Sequence, residues 1–207
     1  MSNPSVSILE LLRRVRAIAQ NGLAYSEGYF DRERYQELYD LSTEGVATLS
    51  GVEPSVLFIP DDDKTGYATP KVGSRGALFR GNEVLLVRER NDDRWALPGG
   101  WVDVNDSPSE AIAKEFIQET GLTVRPYHLC KIVDGGKRNR LSLHHVYTLI
   151  FLCEYLEGEL TPSYETTEVR YFPIDQLPEL SISRTSPEYI ATAWAHYQNH
   201  VVEAEFD

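Results

Sequence analysis

Basic residues are scarce in this chain. Its 207 residues include 20 lysines and arginines against 32 aspartates and glutamates, a net charge of 20 − 32 = −12. A protein that coats nucleic acid by neutralising phosphates is normally basic. General nucleic-acid binding is therefore not expected, although one short basic loop remains compatible. Cysteine is nearly absent: Cys130 and Cys153 are the two. Neither belongs to a CxxC pair, so no zinc or redox motif is expected, and both thiols are expected reduced and partly buried. No apolar run approaches the roughly 18 to 20 residues that cross a bilayer. The opening Met1-Ser2-Asn3-Pro4-Ser5 lacks the basic and then apolar pattern of a signal peptide. These absences predict a soluble, cytoplasmic protein with no membrane partner.

There is ample material for a core, with 42% hydrophobic and 25% charged residues. The first sixty residues have helical periodicity. Ile8, Leu11, Leu12, Val15, Ile18 and Ala19 share one helix face, and Gly22 is expected to end that helix. Asp31 reads as the N-cap of a second helix carrying Tyr35, Leu38, Tyr39, Val46 and Leu49, broken by Gly51 and Pro54. A short apolar piece, Val56 to Ile59, follows. Tyr25, Tyr29, Phe30 and Tyr35 cluster at the helix junction and are expected to serve packing.

From about Ser74 the pattern turns to strands. Gly76 to Arg80 and Val84 to Arg90 flank the turn Gly81-Asn82. Later strand-like runs cover Thr123 to Val133, Leu143 to Tyr155 and Val169 to Ile174, and Pro187 opens a last helix through Tyr197. The reading is an α+β protein: a small α-helical N-terminal domain over residues 1–66, then a larger α+β domain over 67–207.

One helix carries the chemistry. Ser107-Pro108-Ser109-Glu110 combines an N-cap, a proline at the first helical position and a capping-box glutamate, and Gly121 suits a left-handed C-terminal cap. Glu115 and Glu119, four residues apart, share a face with Gln118 beside them. Two carboxylates beside the glycine loop Pro98-Gly99-Gly100 suit a hard divalent cation such as Mg²⁺.

The segment from Gly100, GWVDVNDSPSEAIAKEFIQETGL, resembles the Nudix hydrolase signature G-x5-E-x7-R-E-U-x-E-E-x-G-U, where U is a bulky aliphatic residue. Gly100, Glu115, Phe116, Glu119 and Gly121-Leu122 match. Asp106, Lys114 and Gln118 depart, standing where the family has glutamate, arginine and glutamate. The first two keep their charge, so an acid–base brace between loop and helix is expected; the third loses one. Trp95 to Gly100, WALPGG, is similar to the family's lead-in, and Glu165 before Tyr171-Phe172-Pro173 resembles its loop glutamate and returning strand.

The resemblance implies a Nudix α/β/α sandwich with a mixed sheet. The helical N-terminal unit resembles a subgroup acting on nucleoside diphosphates linked to a second group, among them CDP-choline and ADP-ribose pyrophosphatases. The implied reaction is Mg²⁺-dependent hydrolysis, with Mn²⁺ as the alternative ion, of a small nucleotide: NDP-X plus water gives NMP plus phospho-X. Glu115, Glu119 and Glu165 are the implied catalytic residues. The Gly99 carbonyl, Glu115, Gln118 and Glu119 are the implied metal ligands. Candidate substrate contacts are Arg88, Lys137 and Arg138 of the basic stretch Lys131 to Arg140, and His145, which with His144 opens a strand. A homodimer is compatible with the helical unit. Nucleoside triphosphates or RNA ends remain as other substrates, and a nucleotide-sensing module without catalysis as a third reading.

Overall fold

In the computed structural model, residues 8–51, 66–135, 145–199 and 203–206 are described. The chain divides into two compact units, Met1–Lys71 with Gly135–Val146, and Val72–Asp134 with Tyr147–Asp207.

The first unit is built on two helices, α1 (Ile8–Tyr25) and α2 (Tyr29–Ser50). Gly22 does not end α1. It lies within the helix, and a Cβ there would stand 2.5 Å from the Tyr35 ring, so glycine is needed for close approach rather than for a cap. Asp31 is not the N-cap either; Gly28 caps α2 and Asp31 sits in the first turn. The Arg32 guanidinium reaches back to the Leu23 and Ser26 carbonyls and satisfies the exposed end of α1. Gly51 closes α2 in the left-handed conformation, φ 65°.

The buried stripe of α1 is Leu9, Arg16, Ala19 and Gln20, and that of α2 is Tyr39, Ser42, Thr43, Val46 and Ala47. This shifts the expected face. Ile8, Leu11 and Ile18 stay exposed, as do Leu38, Leu41 and Leu49. Each helix carries more apolar surface than a two-helix contact can cover. Of the junction aromatics only Tyr35 packs inward, over Gly22; Tyr25, Tyr29 and Phe30 are exposed, with Phe30 at 68%. The piece Val56 to Ile59 lies outside the described residues.

The second unit holds most of a mixed sheet, formed by β1 (Lys71–Arg80), β2 (Glu83–Glu89), β3 (Trp95–Ala96), β4 (Leu122–Asp134), β5 (Val146–Gly158), β6 (Thr166–Pro173) and β7 (Glu205–Phe206). Among the described residues the order is β3-β2-β1-β5-β4-β7, and β6 pairs antiparallel with β2 from Glu83↔Pro173 to Glu89↔Thr166. The short strands β3 and β7 have no periodicity to announce them and were not expected. β7 pairs in parallel with β4.

Both sheet faces are covered. Val84 and Leu86 of β2 point into one core with Ile190 and Ala193 of α4 (Pro187–Asn199). Leu85 and Val87 point into the other with Ile112 and Phe116 of α3 (Pro108–Thr120). A strand whose side chains alternate between two buried faces reads as an unbroken apolar run, Val-Leu-Leu-Val. Helices α3 and α4 on opposite faces make an α/β/α sandwich.

Candidate active site

Helix α3 is specified at both ends. Ser107 accepts from the Glu110 amide while the Glu110 carboxylate accepts from the Ser107 amide, and Gly121 closes the helix at φ 74°. Its buried face, Ala111, Ile112, Phe116, Glu119 and Thr120, lies against the sheet. That contact is close because β1 presents Gly76 to it. A Cβ there would stand 2.5 Å from the Phe116 ring and 2.8 Å from the Cys153 Sγ.

The glycine loop is laid along β1 by backbone hydrogen bonds, Gly76 N–H to the Pro98 carbonyl, Ser74 N–H to the Gly100 carbonyl and Val102 N–H to the Val72 carbonyl, each 2.9 Å. Gly99 adopts φ 143°, and a Cβ on it would lie 2.2 Å from the Ser74 carbonyl oxygen. A Cβ on Gly100 would fall 2.1 Å from Glu115 Oε1, so the missing side chain is the space the carboxylate occupies.

Loop and helix are then locked together. Gly99 N–H donates to Glu119 Oε2 at 2.8 Å. The expected brace is present: Lys114 Nζ lies 3.1 Å from both Asp103 and Asp106. Arg75 of β1 donates to the Leu97 carbonyl at 3.1 Å and to the Gly99 carbonyl. The carbonyl implied as a metal ligand thus already accepts from a guanidinium, with its second lone pair remaining.

Arg75, Gly99, Gly100, Asp103, Glu115 and Glu119 line a cleft of about 570 Å³ with Glu89, Arg90, Trp101, Gln118, Tyr164, Glu165 and Arg184. Glu119 is almost fully buried, and its pKa is pushed up to about 8 by burial, which outweighs the opposing pull of Arg75 and the Gly99 amide. Burial also raises Glu115, again against Arg75. A third carboxylate, Glu89 on β2, was missed in the sequence. It is buried and raised by burial, although Arg184 pairs with it at 3.1 Å and Arg75 adds positive charge. Arg75 itself is pushed down by burial. Glu89, Asp103, Glu115, Glu119 and Glu165 face Arg75, Arg90 and Arg184, so the cleft is short of positive charge. An oxygen-rich, anionic pocket of this kind fits a hard divalent cation.

The candidate residues fall into three groups: in the cleft, elsewhere, and outside the described residues. Glu115, Glu119, Gly99 and Gln118 meet in the cleft, Gln118 exposed at its edge. Glu165 lies there too, on the turn before β6, its amide donating to Ser163 Oγ. Arg88 is engaged elsewhere, paired with Glu168 at 2.5 Å and Asp93 at 2.8 Å; its neighbour Arg90 lines the cleft instead. Alternation alone would put residues two apart on one face; the register shift between Arg88 and Glu89 and the end of β2 at Glu89 separate the two arginines. His145 belongs to the first unit, where its carbonyl accepts from the Lys71 amide. Lys137, Arg138, Arg140 and His144 lie outside the described residues. Lys131 is no loop residue; it sits in β4 and pairs with Glu205 at 3.1 Å. Trp101 is 46% exposed at the cleft mouth, whereas Trp95 is buried. Glu89, Arg75 and Arg184 carried no motif signal: each is one charged residue within or beside a strand or loop.

A larger cavity of about 690 Å³ elsewhere in this unit is lined by Leu78, Tyr127, Tyr155 and Tyr171, with Arg80 stacked 4.0 Å over the Tyr171 ring. It lacks the carboxylate and glycine set, so size does not decide where the chemistry lies.

The fold and this site define a Nudix enzyme, and comparison with known proteins agrees. Residues 70–193 match the NUDIX domain model, and residues 7–57 match the UDP-X-like, N-terminal oligomerisation domain. The chain belongs to the Nudix hydrolase family. It is 40% identical over 184 residues to a putative ADP-ribose pyrophosphatase of Bacillus subtilis, covering 88% of each chain. Among solved structures it resembles a UDP-X diphosphatase at 33% identity and TM-score 0.63, covering 96% of this chain and 97% of that one. An ADP-ribose pyrophosphatase of Streptococcus suis aligns at 36% identity and TM-score 0.62, covering 67% of this chain and all of that one. The chain is thus a hydrolase similar to ADP-ribose pyrophosphatases and UDP-X diphosphatases. Among the described residues no helix is long and apolar enough to cross a membrane.

Proposed function

We propose that the protein hydrolyses the pyrophosphate bond of a nucleoside diphosphate linked to a second group, with ADP-ribose or a CDP-alcohol such as CDP-choline as substrate, giving NMP and phospho-X. The observation that carries this is the convergence of Glu89, Glu115 and Glu119 on the Gly99-Gly100 loop in one cleft. The relatives named as ADP-ribose pyrophosphatases support the substrate class.

Glu115 and Glu119 are the carboxylates that would hold Mg²⁺ or Mn²⁺, with the Gly99 carbonyl and the Gln118 amide oxygen as further donors. The bound ion would supply charge neutralisation for the diphosphate and activation of the attacking water. Gly100 keeps open the volume that the Glu115 carboxylate fills. Arg75 anchors the Leu97 and Gly99 carbonyls and so fixes the loop against α3. Glu165, exposed and ahead of β6, is the candidate acceptor for the proton of the water. Arg90 and the exposed rings of Trp101 and Tyr164 suit phosphate contact and base stacking at the mouth.

The second part of the reading is a homodimer through the helical unit. The uncovered Ile8, Leu11, Ile18 and Leu41 support it, as does the match of residues 7–57 to an oligomerisation domain. The expected site is cytoplasmic.

The test is a panel of ADP-ribose, CDP-choline, UDP-sugars and nucleoside triphosphates with Mg²⁺, with the products identified. NMP and phospho-X are expected. Glu115→Gln and Glu119→Gln should each lower turnover by about 10³-fold, roughly 4 kcal/mol of transition-state stabilisation. Wild-type rates in both variants would rule this site out.

A further inference from the structure

Three potential ligands lie together well away in sequence from the glycine loop. His128 and Cys130 are on β4 and His196 is on α4, and their ligand atoms all lie within 4.8 Å of one another. His128 Nε2 and His196 Nδ1 are 2.8 Å apart. Cys130 is fully buried, His196 is 2% exposed and His128 is partly buried. The strand is irregular here, since its pairing with β5 shifts register between Pro126 and His128 and again between Leu129 and Lys131. The second shift leaves Cys130 as the extra residue of a bulge, a device that re-aims a side chain.

A second observation stands behind the first. The other ring nitrogen of His196, Nε2, is buried with no hydrogen-bond partner, 3.7 Å from the Glu205 carboxylate of β7. Glu205 is in turn held by Lys131 Nζ at 3.1 Å. A carboxylate behind a histidine, facing the nitrogen that does not ligate, is the usual outer support of a metal-binding imidazole.

We propose that His128 Nε2, Cys130 Sγ and His196 Nδ1 form a three-ligand binding site for Zn²⁺ or a similar borderline cation, with Glu205 orienting His196. Zinc takes nitrogen at about 2.0–2.1 Å and thiolate sulfur at about 2.3 Å in tetrahedral geometry. That geometry sets nitrogens about 3.3 Å apart and nitrogen and sulfur about 3.6 Å apart. The two rings must therefore open by about half an ångström and the sulfur must close by up to about one, which side-chain rotation achieves. The two imidazole protons sit on His128 Nδ1 and His196 Nε2, the latter facing Glu205. The Cys130 thiol gives up its proton to solvent, and a water completes the fourth position. The site ties α4 and β7 to β4. It uses none of the carboxylates of the catalytic cleft, so it stands or falls apart from the proposed activity.

The test uses the full chain in excess Mg²⁺, which saturates the carboxylate cleft, with Co²⁺ as the spectroscopic probe. One equivalent of Co²⁺ should produce a thiolate-to-cobalt charge-transfer band and the strong visible bands of four-coordinate cobalt, both removed by Zn²⁺. Carboxylate oxygens alone cannot give the first band. Glu119→Gln should keep it and Cys130→Ser should lose it. His128→Asn, at a partly exposed position, should weaken Co²⁺ binding by more than about tenfold, the lower figure for loss of an outer-shell partner alone. Excess Zn²⁺ should raise Tm in the wild type and not in Cys130→Ser. Absence of the charge-transfer band in the wild type, or its survival in Cys130→Ser, overturns the site.

Discussion

Glu119 shows how a single side chain couples folding to cation binding. It is held by one backbone amide and sits close to one guanidinium, yet burial still raises its pKa to about 8. An unfolded glutamate titrates near 4.3. Between those values the folded chain holds a proton that the unfolded chain has lost, so the metal-free protein loses stability as pH rises from about 4.3 to about 8. A cation bound by the carboxylate must displace that proton, so apparent Mg²⁺ affinity should rise with pH across the same window, by up to about tenfold per unit if one proton leaves. Melting curves from pH 5 to 8.5 in chelator and in Mg²⁺ check both signs. The two series should diverge with increasing pH in the wild type and run nearly parallel in Glu119→Gln. Divergence that shrinks as pH rises would show that Glu119 does not titrate in this way.

At the scale of elements, α3 is useful because it is rigidly placed. Its caps are local, but its height above the sheet is decided by Gly76 of β1, over which the Phe116 ring and Ile112 close directly. Gly76→Ala inserts a methyl group where the ring lies and should cost about 1–3 kcal/mol as overpacking. For a chain of this length that is a fall in Tm of about 2–4 °C per kcal/mol. The displaced helix would also carry Glu119 away from the Gly99 amide, so kcat should fall while the protein remains folded. Scanning calorimetry and a Mg²⁺-saturated rate measurement test the pair of effects. A variant with unchanged Tm and kcat would mean that the contact between β1 and α3 does not set the site.

For the whole molecule, the helical unit leaves Ile8, Leu11, Ile18, Leu38, Leu41 and Leu49 exposed on its two helices. Each buried leucine or isoleucine contributes about 1.5–3 kcal/mol, and α1 and α2 leave several uncovered. A second copy of the chain is the proposed cover. Ile18→Asp combined with Leu41→Asp should halve the mass measured by light scattering and leave the cleft residues intact. A wild-type mass already equal to one chain would remove the dimer from the reading. In the Nudix unit α3 and α4 cover the two sheet faces.

Local chemistry made much of this protein legible in its sequence. The caps of α3, the Gly81-Asn82 turn, the apolar run of β2 and the spacing of Glu115 and Glu119 all act within a few residues, so adjacent letters record them. Tertiary structure decided what depends on distant chain segments. It turned Gly22 from a helix stop into a contact with Tyr35, and it left Ile18 outside. It paired Arg88 away from the cleft, brought Glu89, Arg75 and Arg184 into it, and set His128 and Cys130 beside His196. None of these follows from periodicity, because a side chain's partner across a sheet or helix contact is fixed by chain crossing and register, which nearest-neighbour chemistry does not encode.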